Sequence, residues 1–158
     1  MLTKSATQKI EKELKKFPKD QRQSAIISTL RIIQEENGFL TDDLIGVAAD
    51  YLDMPKIAAM EVATFYNMFE LKSAGKYKIS ICTNISCALR DADEIVCHLK
   101  KKLKINFNEI TKDEKFSLKE SECMGACGGA PLMTINNQKM YECLTPQKVD
   151  QILEDLES

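Results

Sequence analysis

The sequence predicts an α+β protein: an N-terminal helical bundle over residues 1–72, then a small α/β domain over residues 73–158 with a mixed four-stranded sheet. Three observations predict it. Apolar residues recur at three- and four-residue spacing as far as about residue 70. Leu71-Lys-Ser-Ala-Gly-Lys76 then breaks the pattern. Beyond it, short alternating apolar runs and turn residues follow one another closely.

In the first half, Ile26, Leu30 and Ile33 fall on one helical face, and Asn37-Gly38 supplies a C-terminal stop. Thr41 is the expected N-cap of the next helix, with Asp42 and Asp43 at the positive end of its dipole. Leu44, Val47, Ala48, Tyr51 and Leu52 carry the buried stripe of that helix. Pro55 suits the first turn of a further helix, whose Val62, Phe65 and Phe69 line one side. In the second half, Tyr77, Ile79 and Ile81 alternate with Lys78, Ser80 and Cys82, the pattern of a half-exposed strand with Cys82 at its end. Residues 88–103 predict a helix carrying Ile95, Leu99 and Leu103. Residues 115–120 predict a second strand with Phe116 and Leu118 on one face. Residues 132–136 and 138–142 predict a hairpin turning at Asn136-Asn137. Pro131 opens that hairpin, where a missing N–H is tolerated. Thr145 caps the last helix, with Pro146 at its first position and Val149, Ile152, Leu153 and Leu156 buried.

Composition narrows the function. At 158 residues, 44% hydrophobic and 29% charged, the chain reads as folded. Net charge is −2, and the only basic block is Lys100-Lys-Lys102, which reads as a solvated helix face; no nucleic-acid partner is expected. No apolar run approaches the ~20 residues that span a bilayer, so no direct membrane insertion is expected. Residues 1–10 have no apolar centre of the kind a signal peptide carries, so a cytoplasmic setting is expected, or the mitochondrial matrix side for a processed organellar chain. Neither nucleotide-binding glycine motif is present, and a single histidine, His98, supports no hydrolytic triad. No catalytic residue is assigned, and the chain alone is not expected to turn over substrate.

Four of the six cysteines stand in two pairs, Cys82-x4-Cys87 and Cys123-x3-Cys127, with thirty-five residues between them. Four thiolates on two segments can hold an iron–sulfur cluster or a zinc ion. Gly125, Gly128 and Gly129 favour the cluster, because glycine lets backbone N–H groups come close to bridging sulfides. The expectation is a 2Fe–2S cluster on Cys82, Cys87, Cys123 and Cys127, with a structural zinc module as the alternative. Neither pair has the Cys-x-x-Cys spacing of a dithiol oxidoreductase, and disulfides are not expected in a cytoplasmic chain. Cys97, in the middle of a helix, reads as a small buried apolar residue, and Cys143 stands outside any pair. A Rieske centre needs two histidines, so count excludes it. His98 reads as surface helix.

The strings Cys82-Thr-Asn-Ile-Ser-Cys87, Cys123-Met-Gly-Ala-Cys-Gly-Gly-Ala-Pro131 and Leu144-Thr-Pro-Gln-Lys-Val149 resemble the thioredoxin-like 2Fe–2S subunits of NADH:quinone oxidoreductase, the bacterial complex I. That family also supplies small subunits of bidirectional hydrogenases and NAD-linked formate dehydrogenases. Ile33-Gln-Glu-Glu-Asn-Gly-Phe39 and Glu61-Val-Ala-Thr-Phe-Tyr-Asn-Met-Phe69 resemble its helical N-terminal region, so the likeness runs from about residue 16 to about residue 156. The resemblance implies a thioredoxin-like fold for residues 73–158, which would bring both cysteine segments to one end of the sheet. It implies an electron-transfer subunit of a respiratory-chain complex peripheral to the inner membrane, with FMN and NAD held only in a partner flavoprotein subunit. Residues 1–72 would dock on that partner. The equivalent subunit of an NAD-linked hydrogenase or formate dehydrogenase and a free-standing ferredoxin are the other readings. Arg90-Asp-Ala-Asp departs from many relatives and puts the local helix start in question, not the ligands.

Overall fold

The computed structural model describes residues 2–157, and the chain divides between Ser73 and Ala74 into two compact units with separate hydrophobic cores. The first unit is helical: α1 (Lys4–Leu14), a single 3-10 turn (Arg22–Ala25), α2 (Ile26–Asn37), α3 (Asp42–Tyr51) and α4 (Lys56–Phe65). Thr3 starts α1 by accepting a hydrogen bond from the Ala6 N–H, and α1 buries Ala6, Ile10 and Leu14 at four-residue spacing. α2 buries Ile26, Leu30 and Ile33 and stops at Gly38, whose φ of 83° few other residues adopt. Thr41 caps α3, its hydroxyl accepting from the Leu44 N–H at 3.2 Å.

Two side-chain expectations change here. The buried face of α3 is Ile45, Ala48, Ala49 and Leu52, while Leu44, Val47 and Tyr51 are only half-buried. The sequence holds two overlapping apolar stripes, and packing selects the one rotated by a single residue. In α4, Ala59 and Ala63 are buried one turn apart, whereas Phe65, roughly 200° around the helix from Ala63, is 78% exposed. Its ring stands edge-on to Tyr66, with centroids 5.1 Å apart.

The second unit carries β1 (Tyr77–Cys82), α5 (Ile85–Ala88), α6 (Ala92–Leu103), β2 (Glu109–Ile110), β3 (Phe116–Ser121), β4 (Met133–Ile135), β5 (Lys139–Tyr141) and α7 (Pro146–Glu157). The strands form one mixed sheet in the order β2-β3-β1-β4-β5. β1 and β3 run parallel and the other pairs antiparallel. The sheet has five strands against the four expected. The addition, β2, is a two-residue exposed edge strand, too short to show a period in sequence. Ile79, Ile81, Phe116, Leu118 and Met133 from the sheet pack with Ile95 and Leu99 of α6 and Val149, Ile152 and Leu153 of α7.

β1 is the central strand, and it is buried along both faces instead of half-exposed: Lys78, Ser80 and Cys82 are buried alongside Ile79 and Ile81. The helix expected over 88–103 begins only at Ala92, as α6, because Asp91 takes a left-handed φ of 62° that separates it from the short α5. Asn136 and Asn137, with φ of 53° and 55°, make the β4–β5 turn, and Asn136 Oδ1 accepts from the Lys78 N–H at 2.7 Å. The Ala130–Pro131 peptide bond is cis. Thr145 caps α7 through the Lys148 N–H at 3.2 Å. His98 of α6, half-buried, meets Asp150 of α7 at 2.9 Å, and Lys102 reaches the same carboxylate at 3.1 Å. No helix among the described residues is long and apolar enough to cross a membrane.

Candidate metal centre

The parallel pairing of β1 with β3 decides where the cysteines go. Parallel strands end at the same edge of a sheet, and their last rung here pairs Cys82 with Ser121. Thr83 and Asn84 follow β1 and lead into α5, which carries Cys87 in its single turn. The first pair thus ends on a helix. Beyond β3 come Glu122 and Cys123, then Met124-Gly-Ala126, then a 3-10 turn over Cys127–Gly129.

Hydrogen bonds stitch the two segments together. The Thr83 N–H donates to the Ser121 carbonyl at 3.2 Å, continuing the sheet by one rung. The Thr83 hydroxyl donates to Glu120 Oε1 at 2.8 Å, and Asn84 Nδ2 donates to Glu122 Oε2 at 2.9 Å. Arg90, between α5 and α6, donates from Nη1 to the Gly128 carbonyl at 3.2 Å. Cys82 is fixed by its own N–H, which donates to the Leu132 carbonyl at 3.1 Å.

The thiols form two unlike pairs. Cys82 and Cys87 are each 1% exposed, packed with Ala92, Ala130 and Leu132. Burial pushes the Cys87 thiol up to about 11, helped by its hydrogen bond to Cys82 and opposed by a backbone contact with Leu132. Cys123 and Cys127 are exposed, their sulfurs 3.5 Å apart. The Gly125 N–H donates to the Cys123 sulfur at 3.4 Å, and this bond, with the neighbouring Cys127, pulls the Cys123 thiol below its ordinary range. Cys127 adds a smaller electrostatic push on the Cys87 thiol in the same direction. Among the described residues, no three His, Cys, Asp or Glu side chains converge on one point.

This donor set suits two metals better than one. A lone zinc asks four ligands to converge in a tetrahedron, whereas two irons bridged by sulfides take two thiolates each. The backbone leaves room for such a group. Gly125 has φ of +81°, and the space a Cβ would enter at Gly125 and at Gly128 is open. Gly129 is a glycine for another reason: a Cβ there would run into the Glu142 side chain. The Gly129 carbonyl accepts from the Cys143 N–H at 2.6 Å, so the β5–α7 connection braces the Cys127 turn from behind.

Cys97, expected to be buried, is exposed on α6, on the side of the helix away from Ile95, Val96 and Leu99. Cys143 is exposed with a left-handed φ of 47°. Thr83, Asn84, Arg90, Glu120 and Glu122 are contributors that sequence reasoning missed. Only Asn84 carried a local signal: an asparagine directly before a helical turn is an N-cap, and its Oδ1 does accept from the Ile85 N–H at 3.0 Å.

Residues 10–157 match the family described as thioredoxin-like [2Fe-2S] ferredoxin. The chain is 46% identical over 144 residues to the E subunit of the NADH-quinone oxidoreductase of Rickettsia bellii, an alignment covering 90% of this chain and 86% of the relative. It is 38% identical over 151 residues to the mitochondrial NADH dehydrogenase [ubiquinone] flavoprotein 2 of Dictyostelium discoideum, covering 95% of this chain and 61% of that one. Among solved structures, the air-oxidized NAD+-reducing [NiFe]-hydrogenase superposes on 89% of this chain with a TM-score of 0.71 and 18% identity. This chain spans 24% of that hydrogenase chain, and the likeness is one of fold.

Proposed function

We propose that this chain, which belongs to the thioredoxin-like [2Fe-2S] ferredoxin family, is an electron-transfer subunit of an NADH:quinone oxidoreductase. The observation that carries the reading is the shared edge of β1 and β3, from which both cysteine-bearing segments leave the sheet. Cys82, Cys87, Cys123 and Cys127 would together hold a single 2Fe–2S cluster. When bound, the cluster accepts and releases one electron at a time.

The residues of the chain prepare for that task in three ways. Ala92, Ala130 and Leu132 keep water from Cys82 and Cys87. The Gly125 N–H points at the Cys123 sulfur, a dipole that favours negative charge there. The exposed Cys123–Cys127 side leaves a short route to a partner at the surface. In this reading FMN and NAD belong to a partner flavoprotein, and the whole sits at the membrane periphery through the complex. Residues 1–72 dock on that partner. Ile57 and Phe65 support this, standing 68% and 78% exposed along α4.

An EPR spectrum of the anaerobically purified chain, before and after dithionite, tests the reading. A half-integer-spin signal that appears only on reduction supports it. A colourless, silent sample that retains zinc would overturn it.

A further inference from the structure

We propose that Asn84 and Glu122 are a positioning pair that fixes the spacing between the two thiol segments. The inference rests on the ligand reading above, since it concerns how those four thiols are held. Asn84 lies two residues after Cys82 and three before Cys87; Glu122 directly precedes Cys123. The Asn84 carboxamide is used at both ends. Its Oδ1 accepts from the Ile85 N–H at 3.0 Å, capping α5, and its Nδ2 donates to Glu122 Oε2 at 2.9 Å. The Asn84 backbone carbonyl accepts from the Cys87 N–H at 2.9 Å. One residue therefore orients the turn that presents Cys87 and also reaches the residue that presents Cys123.

The location makes the bond matter. Main-chain pairing between the two segments ends with the Thr83–Ser121 bond, and the Thr83–Glu120 bridge lies level with that last rung. The Asn84–Glu122 bridge carries the tie one residue further, past the edge of the sheet, where no ladder holds the segments. Its chemistry is directional. The amide has a donor to give and the carboxylate only acceptors, so a carboxylate in place of Asn84 would set two negative groups against each other. Groups hydrogen-bonded to the ligands themselves typically contribute about 10–100-fold to metal affinity; this bridge is exposed and acts through the neighbouring backbone, which puts its effect at the low end.

The test uses the full chain with its cluster and follows iron release to a chelator under anaerobic conditions, with the EPR line shape of the reduced protein alongside. Asn84→Asp keeps an oxygen to cap α5 but loses the donor toward Glu122; release about tenfold faster and an altered line shape are expected. Combining Asn84→Asp with Glu122→Gln reverses the bond, the amide now donating from position 122, and should return release to within about twofold of wild type together with the original line shape. Release from Asn84→Asp at the wild-type rate would overturn the proposal, and so would a double variant that remains as fast as the single one. A wild-type chain without a reducible cluster is a different result, and it would bring down the ligand reading itself.

Discussion

Cys82 and Ser121 face each other across the last rung of the parallel β1–β3 pair. Both thiol segments start from that rung, one residue of each lying within direct backbone reach of the other through the Thr83–Ser121 hydrogen bond. Rigid strands thus set the site's position, and only short spans of chain are left for side-chain bridges to fix.

If the four thiols act as one set, replacing each of the six cysteines by serine sorts them. Cys82→Ser, Cys87→Ser, Cys123→Ser and Cys127→Ser are each expected to lose or distort the cluster, read as iron content and visible absorbance. Cys97→Ser and Cys143→Ser are expected to keep it. Loss of the cluster through Cys97→Ser would overturn the ligand assignment.

The two pairs should differ in the pH at which they react. In the cluster-free chain Cys123 is held below the ordinary thiol range by the Gly125 N–H, and Cys87 is pushed up to about 11 by burial. Alkylation followed by mass spectrometry across pH 6–11 should label Cys123 first and Cys87 only at the alkaline end, since the thiolate is the nucleophile. The sign for stability follows. An unfolded chain ionises its cysteines near ~8.5, so a Cys87 that keeps its proton longer when folded makes the cluster-free chain lose stability as pH rises from there toward about 11. Equal labelling of both cysteines at every pH would contradict this account.

Leu99 is fully buried between the sheet and α7, so Leu99→Ala should destabilise the second unit by about 2–5 kcal/mol, measured by chemical denaturation. The same truncation at Leu89, which is 80% exposed, should cost less than about 0.5 kcal/mol. Similar costs at both positions would mean that the packing of α6 is misassigned.

Deleting residues 1–72 should leave the cluster spectrum intact and abolish co-purification with the flavoprotein. A truncated chain that still co-purifies would place the docking surface on the second unit.

What could be read from sequence follows the range of the forces involved. The Thr41 and Thr145 caps, the Gly38 stop and the Asn136-Asn137 turn are local hydrogen-bonding or backbone choices, and the residues themselves announce them. The cysteine pairs are legible for the same reason, as spacings within a few residues. Several features were not legible because they depend on distant chain. The full burial of β1 goes with its central place in the sheet and the helices packed on it, and the pattern Tyr77 to Cys82 shows only alternation. The break at Asp91 is a left-handed backbone at a residue that also suits a helix start. Phe65 and Cys97 face solvent against expectation because a side chain's type says how readily it can be buried, not which side of a helix meets a neighbour. The Asn84–Glu122 bridge needs the β1–β3 register, which no local pattern encodes.

The distance along the chain between the two pairs also orders events in time. Cys87 and Cys127 are forty residues apart, so during synthesis at about 5–20 residues per second the first pair exists for roughly 2–8 s before the last of the four paired thiols is made. β3, which pairs with β1 as far as Cys82, is completed only near the end of that interval, and β4, on the other side of β1, follows Cys127 in the chain. On the proposed four-cysteine site, the ligand set is complete only once Cys127 has been made, and a nascent chain halted before it carries only part of that set.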